Sequence, residues 1–250
     1  MKALITGASS GIGKEMAIEL ANRGWDLILV ARRTDRLEIL KEELCKVDVR
    51  CMYCDVSKEE ECLRLYEETK SENVDMLINN AGFGAFGYFD EVELERDLSL
   101  IDTNVRGVHI LTKLFLQDFV KRDSGYILNT GSIAGFMIGP LLSSYYASKH
   151  YVVTLTEAIA EELRRKKSKV RISVLCPGPV STEFNEVARV KFLIKGHSPE
   201  FVASYAIKKA LKGKVLIIPG VIVKMGVFMT RLVPRRLLAR ILYKFQKLKM

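Results

Sequence analysis

Several kinds of chemistry have little to work with in this chain. It holds three histidines, His109, His150 and His197, and their separations do not match a metal-ligand set. The five cysteines are odd in number and unevenly spaced, with no secretory signal before them, so no disulfide framework is expected. Cys51-x-x-Cys54 has no second pair, and residues three apart in a strand face opposite sides, so both read as small apolar strand residues. No metal is expected. Membrane-spanning runs are lacking too. Lys214, Pro219, Gly220, Lys224 and Arg231 break every apolar stretch near the end well short of the ~20 residues a span needs. Acid is also missing from one region: the last fifty residues hold twelve Lys or Arg and no Asp or Glu. The first two hundred hold 27 basic against 30 acidic residues, so the tail supplies the whole net charge of +9.

What is present is an alternation. Apolar runs at Lys2–Thr6, Leu27–Ala31, Val49–Cys54, Met76–Asn79, Tyr126–Asn129, Arg171–Cys176 and Val215–Ile218 read as strands. Segments around 36–46, 57–71, 92–121, 145–166 and 199–211 read as helices. Such alternation implies an α/β fold, a doubly wound parallel sheet with helices on both faces in three layers. There is no internal repeat, low-complexity stretch or long linker, and 250 residues suit one domain over 1–250.

The first strand runs straight into Gly7-Ala8-Ser9-Ser10-Gly11-Ile12-Gly13, and a helical pattern follows. Glycines here permit a tight turn, close approach of backbone to a pyrophosphate, and close helix-to-strand packing. Free amides at the new helix N-terminus bind the anion. Further on, Tyr145 and Lys149 stand four apart in a helical run, so phenol and ammonium share one face. A cation there lowers a phenol pKa that starts near ~10 towards the range of a general acid or base. Tyr146 is three from the lysine and rotated away. Ser132, in Gly131-Ser132-Ile133-Ala134-Gly135 after a strand, is favoured over Ser143, Ser144 and Ser148 to hold a substrate oxygen.

Together these residues resemble the short-chain dehydrogenase/reductase family, over nearly the whole chain. Thr6 to Gly13 is similar to its cofactor loop and Asn79-Asn80-Ala81-Gly82 to its post-strand motif. Asn104, Ser132, Tyr145 and Lys149 match its catalytic four, and Pro177-Gly178-Pro179-Val180-Ser181-Thr182 its nicotinamide loop. The resemblance implies a Rossmann fold and hydride transfer between a nicotinamide and a carbonyl. In it Tyr145 donates the proton, Ser132 positions the carbonyl, Lys149 holds the ribose and Asn104 orders a water. It also implies that Asp55 and Val56 lie over the adenine, Asn80 near a ribose and Thr182 on the carboxamide. Asp55 also reads as part of a helix N-cap region, with Ser57 as the cap.

The second strand ends Ala31-Arg32-Arg33, without the acid that would bond NAD ribose hydroxyls. An arginine grips a 2′-phosphate instead, so NADP(H) is expected, with Arg32 leading and Arg33 assisting; two solvated surface charges are the alternative. Phe83 to Phe89, Phe136, Met137, Ile138, Leu141, Leu142, and Phe184, Val187, Val190, Phe192, Leu193 and Ile194 of a lid over 183–198 suggest a small hydrophobic ketone, aldehyde or alcohol as substrate. Plain core is the alternative for each.

The extension 221–250 carries an apolar stripe of Leu237, Leu238, Ile241, Leu242, Phe245 and Leu248 beside Arg236, Arg240, Lys244 and Lys247, opened by Pro234. It suits peripheral contact with an anionic membrane, or packing on the domain or a second subunit. No nucleic-acid motif accompanies the charge. The expected protein is a cytoplasmic homodimer or homotetramer, peripheral at a membrane surface if the stripe binds there. It is an NADP(H)-dependent oxidoreductase. The rivals are a non-catalytic NADP-binding regulator or scaffold and an epimerase or dehydratase of the longer related group.

Overall fold

Strands that are apolar on both faces need cover on both sides, and the sheet here has it. The computed structural model describes residues 1–184 and 196–248. Seven parallel strands, β1 (Lys2–Thr6), β2 (Asp26–Ala31), β3 (Val49–Tyr53), β4 (Met76–Asn79), β5 (Tyr126–Thr130), β6 (Arg171–Leu175) and β7 (Leu216–Ile217), lie in the order β3-β2-β1-β4-β5-β6-β7. Alternate residues along each strand feed different cores. Ala3, Ile5, Leu27 and Leu29 pack with α1 (Gly11–Ala21), α2 (Thr34–Glu43) and α7 (Pro199–Leu211). Leu4, Ile28, Val30 and Leu77 pack on the other face with α3 (Glu59–Thr69), α5 (Val108–Lys121) and α6 (Ser143–Arg165).

Two local expectations need correcting. The helix expected over 92–121 is divided into α4 (Leu94–Ile101), a wider π-turn at Asp102–Gly107, and α5. Gly107 passes so close to Val56 that a Cβ would stand 2.2 Å from its carbonyl oxygen. The π-turn carries Asn104 into the interior, as such bulges often do at functional sites. The second correction concerns Ser57, which does not cap α3. Lys58 takes the N-cap position, while Asp55 accepts from the Ser57 amide (3.1 Å) and hydroxyl (2.8 Å). Glu61, third in the helix, reaches back to the Asp55 amide at 2.7 Å.

Beneath the C-terminal ends of β4 and β5 lies a buried polar network. Asn79 donates to Asn129 (2.9 Å) and Thr112 (3.0 Å), and Asn129 donates to Thr156 (3.0 Å), tying both strands to α5 and α6. After β7 the chain forms α8 (Val221–Thr230) and α9 (Arg235–Lys247), with Pro234 at the N-cap position of α9 as expected. A third of the α9 stripe, Leu238 and Leu242, is partly buried, whereas Leu237, Ile241, Phe245 and Leu248 are exposed.

Replacing Asn129 by Ala would remove the acceptor of Asn79 and the donor to Thr156 in a buried interior. Urea unfolding should show a loss of about 2–4 kcal/mol, and a loss below about 0.5 kcal/mol would contradict the network's role.

Candidate active site

β1 and β4 are neighbours whose following helices leave to opposite faces, so a crevice opens beyond their C-terminal ends. The turn after β1 is held there. Thr6 Oγ1 accepts from the amides of Asn80 (3.0 Å) and Ala81 (3.2 Å), and Asn80 Nδ2 donates to the Gly7 carbonyl at 3.2 Å. Gly7 adopts φ +66°, open to glycine, and a Cβ would meet Ala81 Cα at 2.8 Å. A Cβ on Gly13 would lie 2.3 Å from the Gly7 carbonyl and 2.4 Å from Asn80 Nδ2. Ser10 occupies the N-cap position of α1 without capping it, so the first-turn amides stay available to an anion. Bare glycine backbone beside an uncapped helix end fits a dinucleotide pyrophosphate.

The crevice is a cleft of about 1150 Å³. Gly7, Ser9, Ser10, Gly11, Ile12, Arg32, Arg33, Asp55, Val56, Asn80, Ala81, Gly82, Pro177, Gly178, Val180 and Thr182 border it, as do Ser132, Tyr145 and Lys149. Of the expected site residues only Gly13 and Asn104 stand behind its wall. The two arginines stand in different places. Arg33 lies across the glycine loop, donating to Ser9 Oγ (3.2 Å) and Ser10 Oγ (2.9 Å) and pairing with Glu183 (3.0 Å). Arg36 joins the same carboxylate at 2.5 Å. Arg32, 66% exposed, stands at the rim 3.9 Å from Asp55.

At the other end the side chains of Ser132, Tyr145 and Lys149 converge. Ser132 caps a short 3-10 turn, Ile133–Phe136, accepting from Ala134 N at 3.1 Å, and its hydroxyl lies beside the Tyr145 phenol. Lys149 Nζ donates to the Thr130 carbonyl at 2.8 Å and stands 5.8 Å from the Tyr145 ring centroid. The expected lowering of the phenol pKa is not found. Burial pushes Tyr145 above the ordinary tyrosine range, with only the neighbouring Ser132 hydroxyl acting the other way. Burial also pulls Lys149 down to about 8. Desolvation here outweighs an ammonium turned towards a carbonyl. Asn104 is fully buried beside this cluster. Its amide donates to Phe83 O (2.9 Å) and Ser148 Oγ (3.1 Å) and accepts from Phe83 N (3.1 Å), so it braces the wall behind Gly82.

Residues 1–191 match the short chain dehydrogenase family profile. The chain belongs to that family. Among its relatives is a farnesol dehydrogenase of Aedes aegypti, 36% identical over 193 residues, covering 72% of this chain and 78% of the relative. A short-chain dehydrogenase from Sphingobium yanoikuyae in complex with NADPH superimposes with a TM-score of 0.83 at 28% identity, covering 88% of each chain. A short chain dehydrogenase/reductase from Burkholderia phymatum in complex with NAD gives 0.82 at 26% identity, covering 90% of this chain and 91% of that one. This short-chain dehydrogenase is thus an oxidoreductase acting on alcohol and carbonyl groups.

The structure adds residues to the site that the sequence reading missed. Tyr146 also borders the cleft, and its hydroxyl accepts from Gln246 Nε2 at 2.8 Å. Tyr88 and Tyr243 share a hydrogen bond of 2.8 Å, a second clip from α9 to the body. Cys176, buried at the end of β6, sits beside Lys149 and Ser132, and burial pushes its thiol up to about 12. Of the expected apolar wall, Phe83, Met137, Leu142 and Phe184 border the cleft, with Phe184 5.4 Å from Tyr145 between ring centroids. Leu141 is core, Phe136 packs against a core cluster and Phe89 is exposed. Val187, Val190, Phe192, Leu193 and Ile194 lie outside the described residues. The remaining wall comes from Ile222, Val223, Val227, Leu242 and Phe245 of α8 and α9.

Gly13→Ala should abolish dinucleotide binding, read by fluorescence titration, while circular dichroism stays that of a folded chain. Undiminished binding would show that the loop has room to give.

Proposed function

We propose that this enzyme is an NADP(H)-dependent dehydrogenase/reductase that interconverts a hydrophobic ketone or aldehyde with its alcohol. Tyr145 is the proton donor to the carbonyl oxygen. The observation that carries this reading is the convergence of Ser132, the half-buried Tyr145 phenol and Lys149 on one end of the cleft. A nicotinamide dinucleotide, when bound, supplies or accepts the hydride. Everything else belongs to the chain. Ser132 orients the carbonyl oxygen, Tyr145 gives it a proton as negative charge develops, and Lys149 stabilises the phenolate left behind. Asn104 holds the Phe83 backbone and Ser148, and so keeps the wall beside Lys149 in register. Thr182, against Gly11, faces the cleft where a carboxamide would be fixed.

The apolar wall from Phe83, Met137, Leu142, Phe184 and α8 supports a hydrophobic substrate, as does likeness to a protein named for farnesol. For the cofactor, Arg33 over the glycine loop and Arg32 at the rim support a 2′-phosphate. Glu183 now holds Arg33 and Arg36, an anion where the phosphate would bring another. The two would compete.

The pH dependence follows from two directions. Tyr145 stays protonated across neutral and mildly alkaline pH, which suits reduction. Lys149 loses its charge as pH rises through about 8, so kcat/KM for reduction should fall on the alkaline side there. Lys149→Arg, which keeps its charge, should remove that limb; a limb unmoved in the variant would assign it to another group. Tyr145→Phe should abolish turnover while NADPH still binds, and Tyr146→Phe should spare the chemistry. The reverse result would exchange the two tyrosines.

Cofactor choice has its own measurement. Removing Arg32 and Arg33 together should cut the NADPH-to-NADH efficiency ratio about tenfold or more. Glu183→Gln should raise that ratio. A wild-type preference for NADH would overturn the NADP assignment.

A further inference from the structure

We propose that α8 and α9 form a docking surface for an anionic lipid bilayer, setting the mouth of the substrate cleft against the lipid. The proposal rests on the hydrophobic-substrate reading above for its purpose, but not for its test. α8 has its amphipathicity reversed. Val223 and Val227 face the core, while Val221 (75% exposed), Ile222 (86%), Met225, Phe228 and Met229 point outward, and Leu232 continues them. On α9, Leu237, Ile241, Phe245 and Leu248 recur every three or four residues along an exposed edge. The inner edge of α9 is fixed by the Gln246–Tyr146 and Tyr88–Tyr243 hydrogen bonds, which leaves the other edge turned outward. Ile222 and Phe245 are both exposed and both border the cleft, so the two apolar faces meet at its mouth.

Charge chooses the occupant. Lys224, Arg231, Arg235, Arg236, Arg240, Lys244 and Lys247 are all exposed around these apolar edges, and no carboxylate stands anywhere in the last fifty residues. A two-fold contact with a second copy would press this cationic patch against itself. An anionic bilayer answers both features: apolar side chains enter the acyl boundary while cations meet phosphate headgroups. No helix among the described residues is long and apolar enough to cross a membrane, so the two helices would lie along the surface. A carbonyl or alcohol dissolved in the lipid would then enter the cleft beside Ile222 and Phe245 without crossing water.

The test is flotation of the full chain with phosphatidylcholine vesicles, with or without phosphatidylglycerol, at low and high salt. The protein should float with the anionic vesicles at low salt, be released by salt, and stay down with neutral ones. Each cation removed should weaken partition about fivefold, so Arg236→Gln with Arg240→Gln should weaken it about 25-fold. The triple variant Phe228→Ser, Met229→Ser, Leu232→Ser should stop floating while still binding NADPH and reducing a water-soluble ketone. None of these three side chains borders the cleft. Wild-type protein that stays down with anionic vesicles overturns the proposal. So does a triple variant that floats as before but sediments as a monomer where the wild type is a dimer, since a second copy would then be the cover. Flotation without any ketone reduction would overturn the functional reading and leave the docking surface standing.

Discussion

The parallel pairing of β1 with β4 is the constraint on which the rest of the molecule depends. Two adjacent parallel strands whose connections leave on opposite faces must part at their C-terminal ends, and the gap is the cleft. The parting would leave amides at Asn80 and Ala81 unpaired in a half-buried place, and the Thr6 hydroxyl accepts from both. That clip brings the two turns so close that side chains no longer fit. Gly7 and Gly13 are there because Ala81 and the Asn80 amide already occupy the space a Cβ would take. The same absence of side chains that lets the turns touch leaves bare backbone facing a ligand.

The electrostatics of the far end follow from how far its side chains are withdrawn from solvent. Four-residue spacing does bring Tyr145 and Lys149 to one face of α6, as the sequence requires. It does not decide where a four-carbon stem points, and the ammonium is drawn to the Thr130 carbonyl at the end of β5. Burial then penalises each charged form, raising the phenol and lowering the ammonium. The product is a protonated phenol beside a cation held near its titration point. Spacing alone could not reveal either shift, because both depend on how far the side chains are withdrawn from solvent.

Much of the fold was legible because strand periodicity and length are local properties. β1 and β4 match the expected bounds, α7 matches its expected span, and most other bounds fall within two or three residues. What was not legible depends on contacts distant in sequence. The π-turn that carries Asn104 depends on Gly107 meeting Val56, and the Arg33–Glu183 pair joins residues 150 apart. Gln246 meets Tyr146 across 100 positions. Ser57 illustrates a different limit: a serine before two glutamates has the composition of a cap, but Asp55 competes for its hydroxyl and wins at 2.8 Å. The site motifs were easier to read because their glycines and their Tyr-Lys spacing each answer a steric or geometric demand.

An apolar stripe in a sequence states only that apolar residues recur, not what they meet. In α7 the recurring Val202, Ala206 and Ile207 are covered completely by the sheet and α1. In α9 the stripe divides, with Leu238 and Leu242 turned in and Leu237, Ile241 and Phe245 turned out. In α8 the larger part faces outward. Each such side chain forgoes about 1.5–3 kcal/mol that burial would supply. A fold that covers α1, α5 and α7 so thoroughly has no general difficulty in burying Leu, Ile or Phe. The exposure is also not scattered, which would be ordinary on any protein surface. It is gathered on two consecutive helices, ringed by cations and continuous with the cleft mouth, the pattern of an interaction surface.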